Sequence, residues 1–183
     1  MIVCLGWGSL IWNPNGLAMS GQWQPNGPAV SVEYLRQSNN GRLTLVLDKQ
    51  VPKSPALWAK MQTADLAAAM ENLRRREGDT RLEFIGRWRN GDPDPDVIPG
   101  LGRWASTIRA SAVIWTALPA RFDGEDFRRP SYQEALQYLR TLPRDIKMIA
   151  EEYVRRTPLQ IRTTYRHYLE RDLGWEPGDR TER

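Results

Sequence analysis

Apolar and polar positions fall into two regimes along the chain. Up to about residue 117, short apolar runs alternate with turn-rich segments, and beyond residue 131 apolar residues recur at helical spacing. Ile2–Leu5 is a continuous apolar run that predicts a buried strand, closed by the turn Gly6-Trp7-Gly8-Ser9-Leu10-Ile11-Trp12. The Gly-, Pro- and Asn-rich stretch from Asn13 to Pro28 reads as a long surface loop. Val30–Leu35, Leu43–Leu47 and Ala56–Met61 are the next strands, expected to share one antiparallel sheet, with Asn39-Asn40-Gly41 as a hairpin turn.

A helix is predicted from Thr63 to Arg76 or Glu77, with Thr63 as N-cap, Asp65 in the first turn and Gly78 just past the end. Leu66, Met70, Leu73 and Glu77 fall on one stripe of this helix. The stripe is apolar until its last member, a carboxylate. Leu82–Trp88 and Ile108–Ala117 are further strands. The acidic loop Asp92-Pro93-Asp94-Pro95-Asp96 between them lacks the glycine and terminal glutamate of a calcium loop and reads as a solvated turn.

Three helices end the pattern. Ser131 with Glu134 forms a capping box for the first, which runs to about Leu142. Ile146, Ile149, Ala150, Tyr153 and Val154 form the packing stripe of the second, and Thr157-Pro158-Leu159-Gln160 is expected to open the third, which Gly174 ends. The pattern predicts an α+β fold in one domain, residues 1–183, with a core over about 1–117 and a helical part over about 131–174.

Composition narrows the chemistry. The chain has 183 residues, 40% hydrophobic and 26% charged, with a formal net charge of +4. These values suit an ordinary water-soluble domain with a core of its own. No run approaches the ~20 apolar residues of a membrane helix, and the N-terminal residues do not resemble a secretory signal, so a cytoplasmic protein without membrane contact is expected. The basic excess lies in short runs interleaved with acids, Arg74-Arg75-Arg76, Arg128-Arg129 and Arg155-Arg156, which read as solvated helix faces; no nucleic-acid-binding signature accompanies them. A nucleic-acid or protein contact by the basic C-terminus is a third, minor reading.

One cysteine, Cys4, and one histidine, His167, exclude a Cys/His zinc cage, an intramolecular disulfide and a pair of histidine ligands. His167 lies on a charged helix and reads as a surface residue. Acid–base chemistry is therefore expected from a carboxylate.

Two segments carry candidate chemistry. In Leu5-Gly6-Trp7-Gly8-Ser9-Leu10, glycines at a strand-to-turn junction let backbone N–H groups converge on an anion, although the same glycines also suit a plain tight turn. Glu77 closes the apolar stripe of Leu73-Arg74-Arg75-Arg76-Glu77-Gly78. Desolvation and the negative end of the helix would raise its pKa into the range of a proton shuttle. The alternative is an ion pair with Arg74 or with an arginine of a neighbouring strand.

Together these segments resemble a known family. Leu5 to Trp12 is similar to the N-terminal Gly-Tyr-Gly-Ser-Leu-Ile-Trp signature of ChaC-type γ-glutamylcyclotransferases, and Leu73 to Gly78 is similar to the Glu-Gly motif that ends that superfamily's first long helix. The resemblance covers about Ile2 to Ala117. It implies a mixed, largely antiparallel, barrel-like sheet with flanking helices, and cofactor-independent cyclisation of a small γ-glutamyl compound to 5-oxoproline with release of an amine or amino acid. By position, Glu77 would be the general acid/base, and the Gly8, Ser9 and Leu10 backbone would hold the α-carboxylate or the developing oxyanion. Trp7, Arg42 and Phe84 would complete the substrate site. Trp7 and Phe84 stand where the family usually has tyrosines, so a catalytically inactive small-carboxylate-binding module of the same fold is the alternative reading. Trp12 and Trp58 also lie near the site region by position and could wall a pocket, although core packing accounts for most of the tryptophans.

Overall fold

The N-terminal apolar run forms strand β1 (Ile2–Gly6), and all five of its residues are buried. A strand this apolar needs neighbours on both edges and cover on both faces, and it has them. The computed structural model describes residues 1–78 and 80–178. After β1 the chain forms β2 (Met19–Gln24), β3 (Ala29–Gln37), β4 (Leu43–Leu47), β5 (Lys53–Pro55) and β6 (Leu57–Met61), then helix α1 (Leu66–Arg76). A short 3-10 turn (Leu82–Phe84), β7 (Ile85–Arg89), α2 (Leu101–Thr107), β8 (Ala112–Thr116), β9 (Arg121–Phe122) and β10 (Glu125–Asp126) follow, then α3 (Tyr132–Thr141), α4 (Arg144–Arg156) and α5 (Thr164–Leu173).

The fold is α+β with two mixed sheets. One has the order β2-β6-β1-β8-β7; the other runs β10-β9-β3-β4, with β5 also on β3. Pairing is largely antiparallel, the exceptions among described strands being β1 with β8 and β3 with β9. The register Leu5↔Trp58 and Cys4↔Ile114 sets β1 in the middle of its sheet. Side chains alternate across a strand, so Ile2 and Cys4 face one core with Met70 and Leu73 of α1. Val3 and Leu5 face the other, with Val30, Val32 and Tyr34 of β3 and Tyr153 of α4. The first sheet is thus covered by α1 on one side and by the second sheet and C-terminal helices on the other.

Several expectations change in detail. Val30–Leu35 and Leu43–Leu47 do pair, but Leu57–Met61 lies in the other sheet, between β1 and β2. Strand β2 occupies part of the stretch predicted to be loop; its residues are mostly exposed, so no apolar period marks it. Helix α1 starts later than predicted: Asp65, not Thr63, is the N-cap, its carboxylate accepting the Ala67 N–H, while Thr63 Oγ1 accepts the Asp65 N–H at 3.0 Å. The start of the Ile108–Ala117 strand is instead the end of α2, and β8 begins at Ala112. Leu82–Phe84 forms the 3-10 turn, so only Ile85 onward is strand.

The third C-terminal helix opens at Thr163, not Thr157. Buried Glu33 of β3 accepts hydrogen bonds from Thr163 Oγ1 and the Tyr165 N–H at that helix start. The Ser131–Glu134 capping box and the Gly174 ending are as expected. The acidic loop is a turn whose Asp94 carboxylate accepts the Gly100 and Gly102 N–H groups, and no metal-binding cluster occurs among the described residues. His167 is exposed. No described helix is long and apolar enough to cross a membrane.

Candidate functional site

Beyond its last paired residue, β1 runs into the turn at residues 8–12, where the Ile11 N–H reaches Gly8 O and the Asn13 N–H reaches Ser9 O. Those bonds leave the Gly8, Ser9 and Leu10 N–H groups with no acceptor among the described residues. Unpaired donors in succession form an anion-binding concavity. Gly8, Ser9 and Leu10 line a cavity of about 440 Å³ together with Trp7 and Glu77.

Glu77 reaches this cavity because α1 stops there. It is the C-cap, its N–H bonded to Leu73 O at 3.0 Å, and Gly78 at φ +77° turns the chain away in a conformation that costs a glycine nothing. Leu73, one turn earlier, is fully buried under the sheet. The Glu77 side chain is 12% exposed, and its Oε1 accepts from Arg76 Nη1 at 2.7 Å and from Thr116 Oγ1 at 3.3 Å. Oε2 has no partner among the described residues. The ion pair weighed from the sequence does exist, but with Arg76; Arg74 instead bonds Glu71.

Arg76 departs from the reading of its run as a solvated face. Arg75 is mostly exposed, but Arg76 is only 10% exposed and spans the site, its Nη2 donating to Ser9 Oγ at 3.2 Å and Asn13 O at 2.7 Å. One guanidinium thus ties the carboxylate to the Gly-Ser turn. Its Nε is buried without a partner among the described residues.

Tyr153 is the residue that the sequence reading missed. It belonged to a packing stripe, and the only hint was a phenol on an apolar face, where a buried hydroxyl needs a polar partner. In the fold its ring packs edge-on against Trp12 and Tyr34, and its oxygen accepts the Leu45 N–H at 3.3 Å. No described acceptor takes its proton. Burial pushes the Tyr153 phenol up to about 12, so it stays protonated and able to donate. Gly8 lies so close that a Cβ there would overlap the hydroxyl oxygen.

No protein-family model matches the chain, and neither a curated protein nor a solved structure matches it significantly.

The other expected site residues divide. Arg42 lines the cavity, its guanidinium 5.2 Å from the Tyr153 ring centroid. Phe84 does not line it: the 3-10 turn carries its ring under the Arg81 guanidinium, 4.5 Å away. Trp7 is a wall of the cavity, but Trp12 backs Tyr153 and Trp58 packs on Trp104, so neither lines it. Cys4 is fully buried below the turn; burial first, and then nearby Glu77, push its thiol up, so it is a packing residue and not a nucleophile. Arg36 and Arg121, unremarked in the sequence, also line the cavity.

Proposed function

We propose that the chain is a γ-glutamylcyclotransferase-like enzyme that closes a small γ-glutamyl compound to 5-oxoproline. The observation that carries this reading is that one cavity is lined by Glu77 and by Gly8, Ser9 and Leu10, whose N–H groups have no acceptor among the described residues. Two segments 67 positions apart in sequence, Ser9 and Arg76, are bonded there, which agrees with the resemblance of both to the two motifs of that superfamily. Its barrel-like, family-specific fold belongs to the same proposal.

The α-carboxylate of the substrate sits on the backbone donors of the turn. Glu77 takes a proton from the α-ammonium, and the freed amine attacks the γ-carbonyl carbon. The new C–N bond closes the five-membered ring while the old amide C–N bond breaks. Glu77 passes that proton to the leaving nitrogen, then takes the second proton from the ring nitrogen and passes it on likewise, so the amine departs as an ammonium and the reaction balances with no added reactant. The Tyr153 hydroxyl supplies a donor for the developing oxyanion. It provides in the cavity the phenol that Trp7 and Phe84 lack.

The alternative, a non-catalytic binder of small carboxylates, is favoured by the Arg76 contact that occupies one oxygen of Glu77. Incubation with a panel of γ-glutamyl amides, assayed for 5-oxoproline beside thermal shifts, separates the two readings. An enzyme releases product; a binder is stabilised by ligand and releases none. Absence of both product and stabilisation contradicts both.

A further inference from the structure

The cavity holds more positive charge than a γ-glutamyl group requires. Among its described lining residues are four arginines, Arg36, Arg42, Arg76 and Arg121, and one carboxylate, Glu77. Arg76 is committed to Glu77 and the Gly-Ser turn. The other three come from the second sheet and its hairpin, and each keeps donors that are unused among the described residues. Arg36 bonds Pro119 O at 2.9 Å and Asp126 at 3.5 Å through Nη1 alone, leaving Nε and Nη2 without described partners. Among the described residues Arg121 makes only a 3.9 Å ion pair, through Nε, with the same Asp126. Arg42 uses Nε on Asn40, and its two Nη groups are free among the described residues.

Asp126 is half exposed and is the one described carboxylate paired with Arg36 or Arg121, so it offsets at most one of the three positive charges. The γ-glutamyl end of a substrate, with its α-ammonium and α-carboxylate, is neutral overall. Two positive charges therefore remain for the other end of the substrate. Arg36 is also largely desolvated, its side chain 14% exposed, and a guanidinium in that position gains most from an anionic ligand.

We propose that Arg36, Arg42 and Arg121 form a leaving-group subsite that selects γ-glutamyl compounds whose departing amine carries two negative charges, as a dicarboxylic amino acid or an amino-alkyl phosphate does. The inference rests on the cyclotransferase reading above and names its substrate class. Two sources share this chemistry, and the probes distinguish them.

The test compares kcat/KM for γ-glutamyl methylamide, γ-glutamylalanine, γ-glutamylglutamate and γ-glutamyl phosphoethanolamine. Thermal shifts for the same four compounds report binding whether or not product forms. The expected ranking is dianionic above monoanionic above neutral, with the dianions favoured over methylamide by tenfold or more, on the order of one charge-assisted hydrogen bond. Whichever dianion leads identifies the carboxylate or phosphate source. Arg121→Gln and Arg36→Gln should each reduce that preference about tenfold, and added salt should weaken it. A variant that merely folds poorly lowers all four alike, and Arg36→Lys, which keeps the charge, should restore part of the ratio. Equal turnover and equal shifts across the panel, or a preference unchanged in both glutamine variants, overturn the subsite and leave the cyclotransferase reading intact. Charge-ranked shifts without product from any compound overturn the cyclisation and leave the charge selection standing. No product and no ranked shift overturn both.

Discussion

The approach of Gly8 to Tyr153 gives a quantitative test of the site's construction. Replacing Gly8 by alanine places a Cβ that overlaps the Tyr153 hydroxyl oxygen and lies 3.3 Å from its Cζ. The tyrosine has little room to retreat, since Trp12 and Tyr34 pack edge-on against its ring at 5.3 and 6.2 Å and its oxygen is bonded to the Leu45 N–H. Gly8 does not have a positive φ, so the cost is steric and not conformational. Overpacking of this kind costs about 1–3 kcal/mol. Tyr153→Phe alone strands the Leu45 N–H, at about 1–3 kcal/mol. In the double variant the overlapping oxygen is gone and the 3.3 Å contact needs only a small adjustment. The two costs should therefore combine to at least about 1 kcal/mol less than their sum. Urea unfolding of the four proteins at unchanged m-value measures this coupling. Additivity within about 0.5 kcal/mol would refute the close approach, and with it the placement of a phenol over the Gly-Ser turn.

Other consequences follow from the same structure. Asp65→Ala should cost about 1 kcal/mol by removing the α1 N-cap, whereas Thr63→Ala should cost less in the same denaturation assay. Leu73→Ala, at a fully buried position beneath the site, should cost about 2–5 kcal/mol; a value under about 1 kcal/mol would contradict the packing of α1 on the first sheet. Burial raises the Glu33 carboxyl above its usual 4.5, against the opposing pull of its hydrogen bonds to Thr163, Tyr165 and Tyr34. A raised value in the folded state means tighter proton binding there, so this group's contribution is complete below pH 4.5 and falls as pH rises through the raised value. Stability of the parent minus that of Glu33→Gln, followed against pH, should decline over that interval; a rise would reverse the assignment.

What the sequence made legible was set by how local the signal was. Strand β1, the α1 stripe ending at Glu77 and the Ser131 capping box rest on neighbours within a few residues, and all three form as expected. The sheet assignment of Leu57–Met61 depends on pairing with β1 across more than fifty positions, which no local period encodes. The start of α5 depends on Glu33, a residue of β3, meeting Thr163. Thr157-Pro158 has the form of a helix start, but Thr157 instead ends α4 and accepts the Tyr34 hydroxyl proton at 2.9 Å.

The site shows the same division. Glu77 and the Gly8–Leu10 turn were readable as motifs, and the structure brings them to one cavity. Tyr153, Arg36 and Arg121 reach it only through the packing of the second sheet and α4 against β1, and Arg76 looked like one of three equivalent arginines until the fold buried it. Phe84 stood at the right distance in sequence, but the 3-10 turn carries it away.

The most direct test of the central claim is the rate of 5-oxoproline release by Glu77→Gln relative to the parent, on the best γ-glutamyl substrate of the panel, with both proteins shown to unfold at similar denaturant concentrations. A general acid/base at this position is worth about 10²–10⁴ in rate, and the account predicts a loss of kcat in that range with the cavity otherwise intact. Full activity in Glu77→Gln would contradict it.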